Sequence, residues 1–175
     1  MDERAIIARA TAGDPVALGS IVKAYQSRIR GFALRLTAGN HALADDLAQD
    51  TFIEAFRKLD QFRGEGTFVG WLYRIAYSRF LMHQRRRKFA SAEDAPEPSA
   101  ESETGDMARL DLERGMARIS PEERAALTLC YALGHSNEEA AVILGLPLGT
   151  VKSHILRGRE KLKQLLQPWS VEEMT

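Results

Sequence analysis

A single cysteine, Cys130, stands in a chain of 175 residues, which excludes an intramolecular disulfide and leaves no thiol pair for zinc or redox chemistry. It lies in an apolar run, where a small buried side chain is the expected role. Apolar stretches are short, and none approaches the roughly 20 residues a membrane span needs. The start, Met1 Asp2 Glu3 Arg4, has no basic stretch leading into an apolar one, so neither export nor membrane insertion is expected and the expected localisation is cytoplasmic. Net charge is also missing: 24 Lys and Arg face 24 Asp and Glu. That balance argues against a protein that holds duplex DNA by bulk attraction alone. No β-branched alternation bounded by turn residues occurs, so the expected fold class is all-α.

What is present is an apolar fraction of 45%, enough to build one ordinary core or two small ones. The charge is unevenly placed. Ala90 to Asp106 (ASAEDAPEPSAESETGD) holds six acids, two prolines and no base, and such a stretch cannot bury enough surface to offset its ordering entropy. It reads as a flexible acidic linker between two small helical domains, with expected bounds of 1–89, 90–106 and 107–175. As a coil its 17 residues span roughly 20 to 25 Å.

In the first block Ile21, Tyr25, Ile29, Phe32 and Leu36 form one helical stripe before Gly39 and Asn40 end it. A second helix is expected from about Ala42 to Leu59, with Leu47, Phe52, Ala55, Phe56 and Leu59 inward. Its other side carries Asp46, Gln49, Asp50, Ile53 and Arg57 at i, i+3, i+4, i+7 and i+11, a docking face if Ile53 is exposed. Asp45, Asp46 and Asp50 also resemble an aspartate-rich magnesium motif, but the chain supplies no second acidic motif to complete it. After the turn Arg63 to Thr67 comes WLYRIAYSRFLMHQRRRK, from Trp71 to Lys88, with no carboxylate. Trp71, Tyr73, Tyr77 and Phe80 can stack on unpaired bases while Arg74, Arg79, Arg85, Arg86, Arg87 and Lys88 neutralise phosphates. A core helix with a basic end is the equal alternative on composition alone.

The second block opens at Ser120, an N-cap followed by Pro121, Glu122 and Glu123, and a helix is expected to run from there to Leu133 before Gly134. Ser136 and Glu139 form an S-x-x-E capping box, and Gly145 Leu146 Pro147 make a tight turn before a last helix. This is a helix-turn-helix. Val151, Ile155, Gly158, Leu162 and Leu165 fix the buried stripe of the last helix, so Thr150, Lys152, Ser153, His154 and Arg157 are expected to face outward, as base-reading side chains do in a major groove. Arg159, Lys161 and Lys163 extend the basic face toward phosphates.

Three segments, in this order, resemble the extracytoplasmic-function (ECF, group 4) sigma factors of the sigma-70 family. DDLAQDTFIEAF, from Asp45 to Phe56, is similar to region 2.2; FRGEGTFVGWLYRIA, from Phe62 to Ala76, resembles regions 2.3 and 2.4; and Glu122 to Leu162 resembles region 4. The resemblance implies a non-enzymatic initiation factor with no catalytic residues, metal or cofactor, acting in a stress or envelope response. The partners it implies are core RNA polymerase, at the clamp helices of its largest subunit and at its flap; promoter DNA, duplex and single-stranded; and an anti-sigma factor. By resemblance Asp46, Gln49, Asp50 and Ile53 would grip the clamp helices. Arg63, Gly64, Glu65, Thr67, Trp71, Tyr73, Arg74, Tyr77, Ser78, Arg85 and Arg86 would read and melt the minus-ten element, where extruding a base costs a few kcal/mol. Asn137, Glu138, Thr150, Lys152, Ser153, His154 and Arg157 would read the minus-thirty-five element, and the acidic linker would thread toward the active-site cleft.

The chain departs from the family pattern at Tyr77 and Ser78, where Arg-Asn is common, and at Met82, Asn137, Pro147 and His154. Base preference is therefore expected to differ, and His154 offers a pH-sensitive contact. The rival functions are an autonomous helix-turn-helix regulator, which leaves the Asp46 face unused, and a helical adaptor that binds no DNA.

Overall fold

A computed structural model describes residues 2–90 and 107–166, with side chains from 111 onward in the second stretch. Among these residues there are helices and no strand, as the all-α expectation had it. They divide into two compact units, Met1–Ala33 with Ala42–Ala95 and Leu34–His41 with Pro96–Thr175. The acidic stretch from 91 to 106 lies outside the described residues. Ala90, expected to open it, closes a helix instead.

The first unit begins with α1 (Glu3–Thr11), which the apolar spacing had not suggested, capped by Asp2. Asp14 then starts α2 (Pro15–Leu36). Its carboxylate accepts from the Val16 amide at 2.8 Å, Pro15 needs no partner at the first helical position, and Arg9 donates to the same carboxylate at 2.9 Å. The Arg9 and Val16 hydrogen bonds hold the Asp14 carboxyl below its ordinary value. The expected stripe is internal: Ile21, Ile29, Phe32 and Leu36 are buried, with Tyr25 half-buried. The turn that follows places Ala38 and Gly39 at positive φ.

Next come α3 (His41–Arg57), a 3-10 turn (Leu59–Gln61) and α4 (Phe68–Ala90). Leu47, Phe52, Ala55 and Leu59 are buried as expected, and Phe56 is half-buried. Glu54 ties α3 to α4: Lys58 lies 2.7 Å from it, and Arg79 pairs with the same carboxylate.

The second unit comprises α5 (Met107–Arg118), α6 (Pro121–Leu127), a π-helical turn (Thr128–Ala132), α7 (Asn137–Leu144) and α8 (Leu148–Leu166). Both capping boxes form, Ser120 with Glu123 and Ser136 with Glu139. The helix expected to reach Leu133 widens after Leu127, where the Leu133 amide bonds back to the Thr128 carbonyl at 3.0 Å. Residues 123–129 are all buried, the polar Glu123, Arg124 and Thr128 among them, so residue pattern did not mark that change of pitch. Helix α8 is central. Val151, Ile155 and Gly158 are buried, and the glycines bring its neighbours close: a Cβ at Gly158 would lie 2.8 Å from Leu127, and one at Gly115 of α5 would lie 3.1 Å from Leu162.

No single helix among the described residues is long and apolar enough to cross a membrane.

Candidate nucleic-acid and partner interfaces

On α3, Asp46, Gln49, Asp50 and Ile53 are all exposed, Ile53 to 44%, so one face carries them together. Gln49 and Ile53 also border a groove of about 440 Å³ between α2 and α3, floored by Phe52 and Phe56 and walled across by Val22, Gln26 and Arg30. These α2 residues escaped the sequence reading. Their spacing of four was a usable signal, but which side of α2 flanks α3 depends on packing.

The loop from Arg63 to Thr67 is exposed throughout. Gly64 and Gly66 sit at φ 75 and 78°, in the left-handed region that glycine occupies without strain. Its two ends are held by rings: Phe62 packs on Phe68 at 5.1 Å and on Trp71 at 5.5 Å, Phe68 stacks with Trp71 at 5.5 Å, and Tyr25 of α2 meets Phe68 edge-on at 5.4 Å. The Thr67 hydroxyl accepts from the Gly70 amide at 3.1 Å and starts α4. The result is a short loop whose ends are fixed and whose apex is free to meet a ligand.

On α4 one expectation requires correction. Tyr73, Tyr77 and Phe80 are 2%, 4% and 0% exposed, so these rings belong to the core and cannot stack on bases. Phe32 packs on Tyr73 at 4.9 Å. Of the four rings only Trp71 is partly accessible. The outward stripe is instead Trp71, Arg74, Ser78, Met82 and Arg85, at i, i+3, i+7, i+11 and i+14, with Arg86 beside it, and every member after Trp71 is exposed. Helix α4 contains no carboxylate, so this stripe is uniformly basic or neutral.

In the second unit α7 and α8 meet at 105°, within the range of roughly 90 to 120° for a DNA-binding helix-turn-helix. Gly145 makes the turn in the left-handed conformation. Lys152, Ser153 and Arg157 are exposed, whereas Thr150 and His154 are half-buried and less outward than expected. Ser153 donates to the Gly149 carbonyl at 2.9 Å, and Arg157 Nη2 lies 3.2 Å from His154 Nδ1. Glu138 is exposed; Asn137 is half-buried and accepts from the Cys130 thiol at 3.5 Å. Cys130 is half-buried and not buried as expected; burial, then the Glu138 charge, push its thiol up.

The basic face of α8 also needs correction at Lys161. Its ammonium lies 2.9 Å from both oxygens of Glu123, whose side chain is 4% exposed, so it braces two helices and is not available as a free phosphate contact. Burial works to raise the Glu123 carboxyl, but hydrogen bonds from Lys161 and the Ser120 amide, with the charges of Lys161 and Arg157, outweigh it and hold it low. Among the described residues no group of three or more His, Cys, Asp or Glu side chains is placed to hold a metal ion.

Family models for Sigma-70 region 2 and Sigma-70 region 4 match residues 21–90 and 109–162. The chain is 32% identical over 185 residues to the ECF RNA polymerase sigma-E factor of Haemophilus influenzae, with 96% of this chain and 97% of that protein covered. The chain belongs to the ECF sigma factors of the sigma-70 family. The ECF sigma factor SigE of Mycolicibacterium smegmatis is 39% identical over 174 residues, covering 91% of this chain and 66% of that protein. Among solved structures, the sigma factor RpoE of Bartonella quintana, in complex with the anti-sigma factor NepR, matches with a TM-score of 0.72 at 30% identity, covering 85% of this chain and 96% of that one. CnrH in complex with the cytosolic domain of CnrY matches at 0.69 and 29%, covering 95% and 97%. In this ECF sigma factor the α3 face, the 63–67 loop and the α4 stripe up to Arg86 fall inside the region 2 match, and the helix-turn-helix falls inside the region 4 match.

Proposed function

We propose that this chain recruits core RNA polymerase through the α3 face, opens the minus-ten element with the 63–67 loop and the α4 stripe, and reads the minus-thirty-five element with α8. Residues 1–90 and 107–175 act as the two modules, and 91–106 is the tether that threads toward the active-site cleft. The observation that carries this reading is the order of three exposed surfaces along one chain: an apolar-edged acidic face, a ring-clamped loop continuing into a carboxylate-free helix, and a basic helix-turn-helix. Ile53 and the groove beside it suit a helical partner that buries apolar surface, as the polymerase clamp helices would. The loop supplies a rigid frame for a flipped base, whose extrusion costs a few kcal/mol that contacts must offset. Such a protein lends specificity to a polymerase that has the catalytic power and is itself no enzyme, and it works in the cytoplasm. An anti-sigma factor, the kind of partner that NepR is to the Bartonella quintana protein, would hold it inactive, and the duplex affinity of the free protein is low because its charge sums to zero.

Mixing the chain with core polymerase and genomic DNA, then sequencing run-off transcripts, tests this directly: a sigma factor yields transcripts starting downstream of a shared two-part motif, and absence of any transcript defeats the reading. Gln49→Ala with Asp50→Ala is expected to weaken co-elution with core polymerase while leaving the fold intact.

A further inference from the structure

Glu123 is the third residue of α6, and its carboxylate reaches back to the Ser120 amide at 3.1 Å to complete the capping box. A capping glutamate needs only that contact and ordinarily sits in solvent. Here the side chain is 4% exposed, because Gly158 lets α6 and α8 approach until a Cβ on residue 158 would lie 3.2 Å from Glu123 Cβ. At that crossing one carboxylate reaches two α8 side chains: Lys161 at 2.9 Å from both oxygens and Arg157, whose Nε lies 3.7 Å from Oε1. On the same edge of that guanidinium Nη2 lies 3.2 Å from His154 Nδ1. Arg157 therefore has an ion-pair contact at Nε and a close contact at Nη2, which together restrain a side chain that is otherwise 57% exposed.

The capping box needs only a side-chain acceptor, which a glutamine also supplies, and a buried ion pair at such a crossing is often no more stabilising than apolar packing, so stability alone does not call for the charge. Orientation does. A base edge is read by a guanidinium in one plane, and a side chain already held in that plane gives up less rotamer freedom on docking.

We propose that Glu123 is a positioning residue for promoter selection, aiming Arg157 at the base it reads and setting the stringency of upstream-element choice without touching DNA. The inference rests on α8 being the minus-thirty-five recognition helix. Its test uses holoenzyme formed from core polymerase and the full chain, with transcript starts defining the upstream motif and single-base variants of that motif measured for binding. Arg157→Ala is expected to relax preference at one or two positions by roughly 5- to 100-fold, the worth of a bidentate contact. Glu123→Gln, which keeps an acceptor for the Ser120 amide, is expected to relax the same positions about threefold or more and to add nothing to Arg157→Ala in the double variant, as coupled residues do. Lys161→Met removes the main ion-pair partner and is expected to lower thermal stability while base preference stays.

Loss of preference in Lys161→Met equal to that in Glu123→Gln would overturn the proposal, because a brace of the helix crossing would then explain everything. Uniform weakening on all sequences by Glu123→Gln, or by Arg157→Ala, would overturn it as well. Wild-type holoenzyme that initiates nowhere defeats the functional reading itself, an outcome separate from a wild type that shows a motif to which Glu123→Gln is indifferent.

Discussion

The loop in the first domain and the recognition helix in the second are both held in place from behind, by opposite means. Phe62, Phe68, Trp71 and Tyr25 clamp the 63–67 loop with ring contacts of 5.1 to 5.5 Å. Helix α8 is set by a buried carboxylate, a lysine, an arginine and a glycine that admits close approach. Ring packing is indifferent to salt and acid, whereas an ion pair feels both. On the proposed reading, the first device suits a surface that keeps its shape while strands part, and the second suits one whose charged side chains need fixed directions.

The most severe way to break this contrast is Phe68→Ala, which removes the hub of the ring cluster and a fully buried side chain. It is expected to cost about 3–5 kcal/mol, read as a lower melting transition of Trp71 fluorescence in a Trp169→Phe background, with amide exchange in α6 and α8 unchanged. Gly158→Val acts on the second domain in the same spirit. Its Cβ would sit 2.8 Å from Leu127, so overpacking of about 1–3 kcal/mol is expected, seen as faster exchange in α8 while Trp71 fluorescence holds.

Ser120→Ala is milder, about 1 kcal/mol for a lost cap, measured by the same exchange experiment over residues 121–132. Acid sharpens the contrast further. Because the folded Glu123 carboxyl is held below its ordinary 4.5, its contribution is present above that value and disappears as pH falls through the lower folded value. Acid titration of amide exchange is expected to loosen the α6–α8 crossing in that window, and Glu123→Gln to flatten this limb.

The smallest effect is expected from Tyr25→Phe. The Tyr25 hydroxyl donates to Glu3 of α1, and burial followed by that hydrogen bond push its pKa up to about 12. Losing the bond costs about 0.5–1 kcal/mol in the melting of the first domain, with the ring clamp retained.

Local devices were readable in the chain without any coordinates. Ser120 and Ser136 with their glutamates three residues on, the Val151, Ile155 and Gly158 stripe, and the outward Asp46 to Ile53 face all follow from spacing within one helix. What spacing could not supply was contact between elements. Tyr73, Tyr77 and Phe80 fitted base stacking and burial equally because α4 is apolar on most sides, and only packing decides which side is inward. Glu123 and Lys161 are 38 positions apart, so one read only as an acid of a helix's first turn and the other as part of a face turned toward phosphates. The groove wall of Val22, Gln26 and Arg30 likewise became visible only when α2 lay beside α3.

The two jobs of Glu123 bear on attempts to retarget this protein. Swapping the last helix alone for that of a relative, to borrow the relative's promoter preference, would set a foreign arginine against an acid shaped for the native one. Grafts that carry residues 120–127 along with α8 keep that pairing together, and they are the transplants in which a borrowed preference should survive intact.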